Sequence, residues 1–97
     1  MKKLLLATVA SAAMATAVSA DDVKIGVFLG FTGPIESLVA QMGPGAEAAI
    51  AEVSASGSFM NGSTVTAVRA DTTCVDAGAA TAAAERLITS DKVSGIV

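Results

Sequence analysis

The chain has 97 residues, with three Phe as its only aromatics, one cysteine and no histidine. Lacking histidine and holding a single thiol, these residues alone build neither a zinc site nor a Ser-His-Asp or Cys-His set. All nine acids follow Ala20, and they face only four basic residues there, a net −5 for residues 21–97. That balance argues against nucleic acid or an anionic membrane as partner, because both need clustered Lys and Arg.

Residues 1–20 read as a cleavable signal peptide. Lys2 and Lys3 form the basic start, and Leu4–Val18 is apolar or small throughout. Val18-Ser19-Ala20 offers small residues where a signal peptidase cuts. The apolar run is short of the roughly 20 residues a spanning helix needs. No cysteine follows it directly, so no lipid-anchor site is expected, and the exported protein should be free in solution.

A strand follows at once. Val23–Leu29 is apolar apart from Lys24, as suits a strand covered on both faces of a parallel sheet. Gly30-Phe31-Thr32-Gly33-Pro34 breaks it, and a loop is expected to about Ala40. A helix is expected from about Gln41 to Ser56, with Met42, Ala46, Ala49, Ile50 and Val53 as its apolar stripe. Glu47 and Glu52 fall off that stripe. Pro44 belongs in or just before the first turn, and Gly57 is the expected stop.

Asn61-Gly62 marks a tight turn. Thr64–Ala70 is a second strand, rich in β-branched residues. Asp71–Val75 is a loop, and Asp76 is the expected N-cap of a second helix ending near Ser90. Ala77, Ala80, Ala84, Leu87 and Ile88 share one face of that helix, with Glu85 and Arg86 outward. Its many alanines predict close approach to the sheet. Val93–Val97 is a third strand.

The order β-α-β-α-β predicts an α/β fold with a parallel sheet, strand order 2-1-3. Such sheets bind ligands at the carboxyl ends of their strands. The relevant loops are Gly30–Ala40 and Asp71–Val75. The strand pattern running to Val97 suggests the N-terminal part of a longer protein, so residues 21–97 are read as an incomplete lobe. Alone they are not expected to fold stably.

Chemistry within these loops is sparse. Gly26, Gly30 and Gly33 do not match G-x-G-x-x-G, and no G-x-x-x-x-G-K-[ST] occurs. Gly30 and Gly33 instead suit a sharp turn and close approach of backbone to a ligand. The helix N-terminus beyond the loop favours an anion such as a carboxylate. Asp21-Asp22 reads as a solvated terminus rather than a catalytic pair. Cys74 in an exported chain suggests a reactive thiol, an intermolecular bond or a missing disulfide partner. No basic neighbour is present to activate it as a nucleophile, so the disulfide is the preferred reading.

Four stretches resemble the type I periplasmic solute-binding proteins. Val23-Lys24-Ile25-Gly26-Val27 with Thr32-Gly33-Pro34 resembles their first strand and loop. Gly45-Ala46-Glu47-Ala48-Ala49-Ile50, then Glu52-Val53, resembles their first helix. Asp71-Thr72-Thr73-Cys74-Val75-Asp76 resembles the D-x-x-C-x-[PD] segment of the branched-chain amino-acid binding group. Lys92–Val97 resembles the strand leading to the ligand loop. Gly57-Ser58 stands where many members have Gly-Gly.

The resemblance implies the N-terminal lobe of a two-lobed periplasmic receptor, binding an amino acid or related small polar solute by hinge closure. It implies delivery to the membrane permease of an ABC transporter, a monomeric state and no cofactor, metal or catalysis. It places the ligand contacts of this segment at Phe31, Ser37 and Leu38, although Leu38 stands where many members carry an aromatic. It pairs Cys74 with a cysteine beyond Val97, closing a loop of about 25 residues worth roughly 3 kcal/mol in the chain-entropy model. The rival readings are an exported α/β enzyme with catalytic residues further along, and a receptor lobe that senses rather than transports.

Overall fold

The computed structural model describes residues 21–97, so the signal-peptide reading of residues 1–20 lies outside the described residues. The elements run β1 (Asp22–Leu29), α1 (Glu36–Ala55), a 3-10 turn at Met60–Gly62, β2 (Thr64–Asp71), α2 (Ala77–Thr89) and β3 (Gly95–Ile96). The three strands make one parallel sheet in the order β2-β1-β3, as the α/β reading of the sequence expects.

β1 and β2 pair without a break from Asp22↔Thr64 to Leu29↔Asp71. β3 is shorter than Val93–Val97, with ladder partners only at Ile25↔Gly95 and Gly26↔Ile96. Its pairing is extended by Ser94 N to Lys24 O at 2.8 Å and Phe28 N to Val97 O at 2.8 Å.

Side chains alternate across this sheet. Ile25 and Val65 line a cleft with Ala49, Ile50 and Val53, so the odd-numbered positions face α1. Gly26 faces the other way: a Cβ there would lie 2.9 Å from Leu87 Cδ1 of α2. The helices thus cover opposite faces. Right-handed crossovers that run in opposite directions across the sheet, from β1 out to β2 and from β2 back past β1 to β3, require that arrangement. Gly26 thus makes room for the Leu87 side chain against the sheet.

The core is small: Val27, Val39, Val65, Ala70 and Leu87. Val27 and Leu87 are fully buried, one on each face of the sheet. Each such side chain contributes about 1.5–3 kcal/mol by leaving water. Polar groups secure the amino end. Asp22 Oδ1 accepts from the hydroxyls of Thr64 at 3.0 Å and Thr66 at 2.9 Å, so it is tied to β2 rather than simply solvated. Ser54 Oγ of α1 accepts from Val65 N at 3.0 Å.

α1 departs most from expectation. It begins at Glu36, five residues before Gln41, and Pro44 lies in its interior. The Gly33-Pro34-Ile35 turn starts the helix directly, through Glu36 N to Gly33 O at 3.2 Å and Leu38 N to Ile35 O at 2.9 Å. Pro44 cannot donate to Ala40 O, but Ala40 is exposed and water can serve its carbonyl. The buried stripe also differs from the expected one. Val39 and Gly43 are buried, whereas Met42 and Val53 are exposed. On α2, Asp76 is the N-cap, accepting from Ala79 N at 3.0 Å. Ile88, placed on its inward face by the sequence, is exposed. Arg86 does not merely point outward. It donates to the carbonyl of Arg69 and pairs with Asp91 at 3.3 Å.

Candidate functional site

Both crossovers leave the sheet at its carboxyl edge, where Leu29 of β1 stands beside Asp71 of β2. The chain turns away from Leu29 by Phe31 N to Leu29 O at 3.0 Å, and Thr72 N bonds the same carbonyl at 2.9 Å. The loop after β1 therefore starts already joined to the loop after β2.

Asp71 strengthens the junction. Its Oδ1 accepts from Thr73 N at 2.9 Å and from Thr32 N at 3.3 Å, while Oδ2 accepts the Thr32 hydroxyl. The Thr32 hydroxyl first, then the Thr73 backbone, holds this carboxyl below its ordinary value, because both stabilise the ionised form. Gly33 closes the contact. Its φ is +101°, and a Cβ there would lie 2.9 Å from Thr73 O, so a side chain would meet both backbone strain and a clash.

Beyond Asp71, the loop after β2 is shaped by side chains. Thr73 and Cys74 have φ of +54° and +65°. Such left-handed geometry costs non-glycine residues roughly 1–2 kcal/mol each. The offsetting bonds are Cys74 N to Thr72 Oγ1 at 3.1 Å and Asp76 N to Thr73 Oγ1 at 3.2 Å, together with the Asp71–Thr73 bond.

Phe31 is anchored from two sides. The Arg69 guanidinium sits 4.6 Å from its ring centroid, a cation–π distance. On the other side its ring lies against α1 at Gly43, where a Cβ would be 2.5 Å from Phe31 Cε1. Arg69 is itself held in bidentate fashion by Glu47, with Nη2 to Oε2 at 2.9 Å. This pair lowers the Glu47 pKa and raises that of Arg69, chiefly through the shared hydrogen bonds.

Ser37 and Leu38 lie in the first turn of α1 rather than in a loop, and both are exposed, Leu38 to 71 %. Phe31 is half-buried, with its ring against Gly43 further along the helix. Two cavities flank the joined loops. One of about 180 Å³ on the α1 side includes Phe31, Glu36, Val39 and Arg69. The other, of about 420 Å³ on the α2 side, includes Phe28, Thr72, Cys74 and Asp76. Cys74 is exposed and unpaired among the described residues.

The arrangement offers apolar surface, hydroxyls and positioned backbone. Among the described residues no three His, Cys, Asp or Glu side chains cluster as metal ligands. Asp71 and the Glu47–Arg69 pair carry most of the structure here, and sequence reasoning gave neither a role. The strand alternation held the available signal. It places Arg69 on the face that Val65 and Ala67 turn to α1, where a charge needs a partner.

The family described as periplasmic binding protein matches the chain over residues 22–97, from the first residue of β1 to the last of the sequence. No curated protein and no solved structure gives a significant match. No helix among the described residues is long and apolar enough to cross a membrane. The match takes in all three strands, both helices and the two joined loops, and the sheet order is that of a lobe of this fold. The chain belongs to the type I periplasmic binding proteins, in their branched-chain amino-acid binding family, whose role is to bind solutes.

Proposed function

We propose that this protein is the periplasmic substrate-binding component of an ABC transporter, taking up an amino acid or related small polar solute. The observation that supports this most is the match of residues 22–97 to a solute-binding family, with both crossover loops joined at the carboxyl edge of the sheet. That edge is where sheets of this topology receive ligands. The mechanism is binding followed by closure of two lobes about a hinge, then delivery by a monomer to its membrane permease. Residues 21–97 supply part of the N-terminal lobe. Residues 1–20 serve as the signal for export and are removed.

In this reading Phe31, Ser37 and Leu38 form the solute-facing wall. Ser37 and Leu38 lie exposed in the first turn of α1, and Phe31 follows β1 with its ring against Gly43. Cys74 is exposed next to the same edge and pairs with a second cysteine of the full-length protein. Thiol titration of the denatured, unreduced protein should find Cys74 blocked. Finding it free would remove the disulfide from the account.

A thermal-shift panel of amino acids and amides on the full-length exported protein tests the function. At a hundredfold excess over Kd, a solute that binds only the folded state adds about 2.7 kcal/mol, a shift of several degrees. No shift with any of them, together with turnover of one, would overturn the proposal in favour of an exported enzyme.

A further inference from the structure

We propose that Asp71 is a positioning residue, whose carboxylate locks the loop after β1 to the loop after β2 so that both present one fixed edge to the solute. The inference rests on the solute-binding reading above and adds to it a determinant that touches no solute itself.

Three donors from two loops converge on this carboxylate. Thr32 N and the Thr32 hydroxyl come from the loop after β1, and Thr73 N comes from the loop after β2. Thr32 and Asp71 are 39 residues apart in sequence, so the bond is tertiary and not a feature of either turn. Gly33 meets Thr73 O within a clash distance of any side chain, so the loops also fit together sterically. Phe31, directly before Thr32, is braced against α1 by Gly43 and by Arg69.

Displacement at Thr32 therefore passes one way to Phe31 and the other way, through Gly33, to the start of α1 at Ser37 and Leu38. The Gly33 carbonyl accepts from Glu36 N at 3.2 Å, which completes that connection. Ionised, the carboxylate accepts all three bonds at once. An amide in its place can keep its one oxygen on the two backbone N–H groups and donate to the Thr32 hydroxyl, so it removes the charge that strengthens all three bonds rather than the bonds themselves. A Val at position 32 keeps the shape of the threonine and loses only the hydroxyl bond, whereas a Ser restores it.

The test uses the full-length protein and the variants Asp71→Asn, Thr32→Val and Thr32→Ser. Amide hydrogen exchange without solute, and titration with the amino-acid panel, are both measured. Asp71→Asn should speed exchange in residues 30–35 and 72–76 together, and weaken solute binding about tenfold, because all three bonds lose their charge assistance. Thr32→Val should weaken it about threefold, and Thr32→Ser should return both readouts to wild type. Melting of the solute-free Thr32→Val protein should fall modestly but stay well above the titration temperature, so that affinity lost there reports positioning and not unfolding. Exchange that quickens in only one loop, or affinity that stays at the wild-type value in Asp71→Asn, would overturn the proposal. Wild-type protein that binds no solute of the panel would overturn the solute-binding reading instead, and the exchange result would still decide whether the loops are locked.

Discussion

Replacing Gly43 by Ala sets two effects of known sign against each other. Gly43 lies inside α1, where alanine is favoured over glycine by about 1 kcal/mol. Against that, the new Cβ would stand 2.5 Å from Cε1 and 3.2 Å from Cζ of Phe31, so the ring must retreat by about 0.9 Å to reach ordinary contact at 3.4 Å. The ring cannot move freely, because Arg69 lies 4.6 Å from its centroid on another side. Overpacking of this kind costs typically about 1–3 kcal/mol. The steric effect wins, and Gly43→Ala should destabilise by about 1 kcal/mol net.

The same substitution in a Phe31→Leu background should change sign. Only Cδ1 of the ring, 3.6 Å from the new Cβ, has a counterpart in leucine, so the clash disappears. There the propensity gain stands alone, and Gly43→Ala should stabilise by about 1 kcal/mol. The assay is urea unfolding of the full-length protein without solute, read as a double-mutant cycle. A coupling of about 2 kcal/mol between positions 31 and 43 is expected from these two estimates. Equal effects of Gly43→Ala in both backgrounds would refute the claim that Phe31 packs against α1 at this point.

Three further predictions concern the fold. Leu87→Ala, which empties a fully buried site against Gly26, should cost about 2–5 kcal/mol in chemical unfolding. Asp76→Ala should cost about 1 kcal/mol through loss of the α2 cap, and Asp76→Asn should retain most of it. Glu47 and Asp71 both have carboxyl pKa values held below the ordinary range, Glu47 chiefly by the Arg69 side chain and Asp71 chiefly by the Thr32 hydroxyl. Depressed values of this kind stabilise the fold fully above the ordinary carboxylate range, at about pH 4, and that contribution is lost as pH falls through the depressed values. Glu47→Gln and Asp71→Asn should therefore each shallow the acid limb of a melting-temperature profile. An acid limb unchanged in both variants would count against these contacts.

Strand positions and topology were legible because they depend on local pattern. Val23–Leu29 and Thr64–Ala70 are β-branched runs bounded by turn residues, and parallel pairing with a central first strand follows from their connection through single helices. Asp76 was legible as a cap because that role depends only on the next three residues. The start of α1 was not. Pro44 argues locally for a first turn, and the Gly33-Pro34-Ile35 turn that nucleates the helix earlier competes with it. The stripe was misjudged separately, because Val39 and Gly43 share the buried face and a glycine gives no apolar signal for it.

The site was harder to read for a different reason. Thr32 and Asp71 are far apart in sequence, as are Phe31 and Arg69, and no periodicity links them. Nothing local distinguishes Gly43 from an ordinary helix position, because its role depends on the distant Phe31 ring that fills the space of its missing side chain. Sequence pattern locates which loops share an edge, whereas the bonds that hold them together depend on the register of β1 with β2.

Calorimetric titration of the full-length protein with amino acids and amides tests the solute-binding claim most directly. Saturable binding of at least one of them at one site per chain is expected, with no chemical change in the solute recovered afterwards. Heat without saturation across the panel, or a recovered solute that has been converted to product, would contradict it.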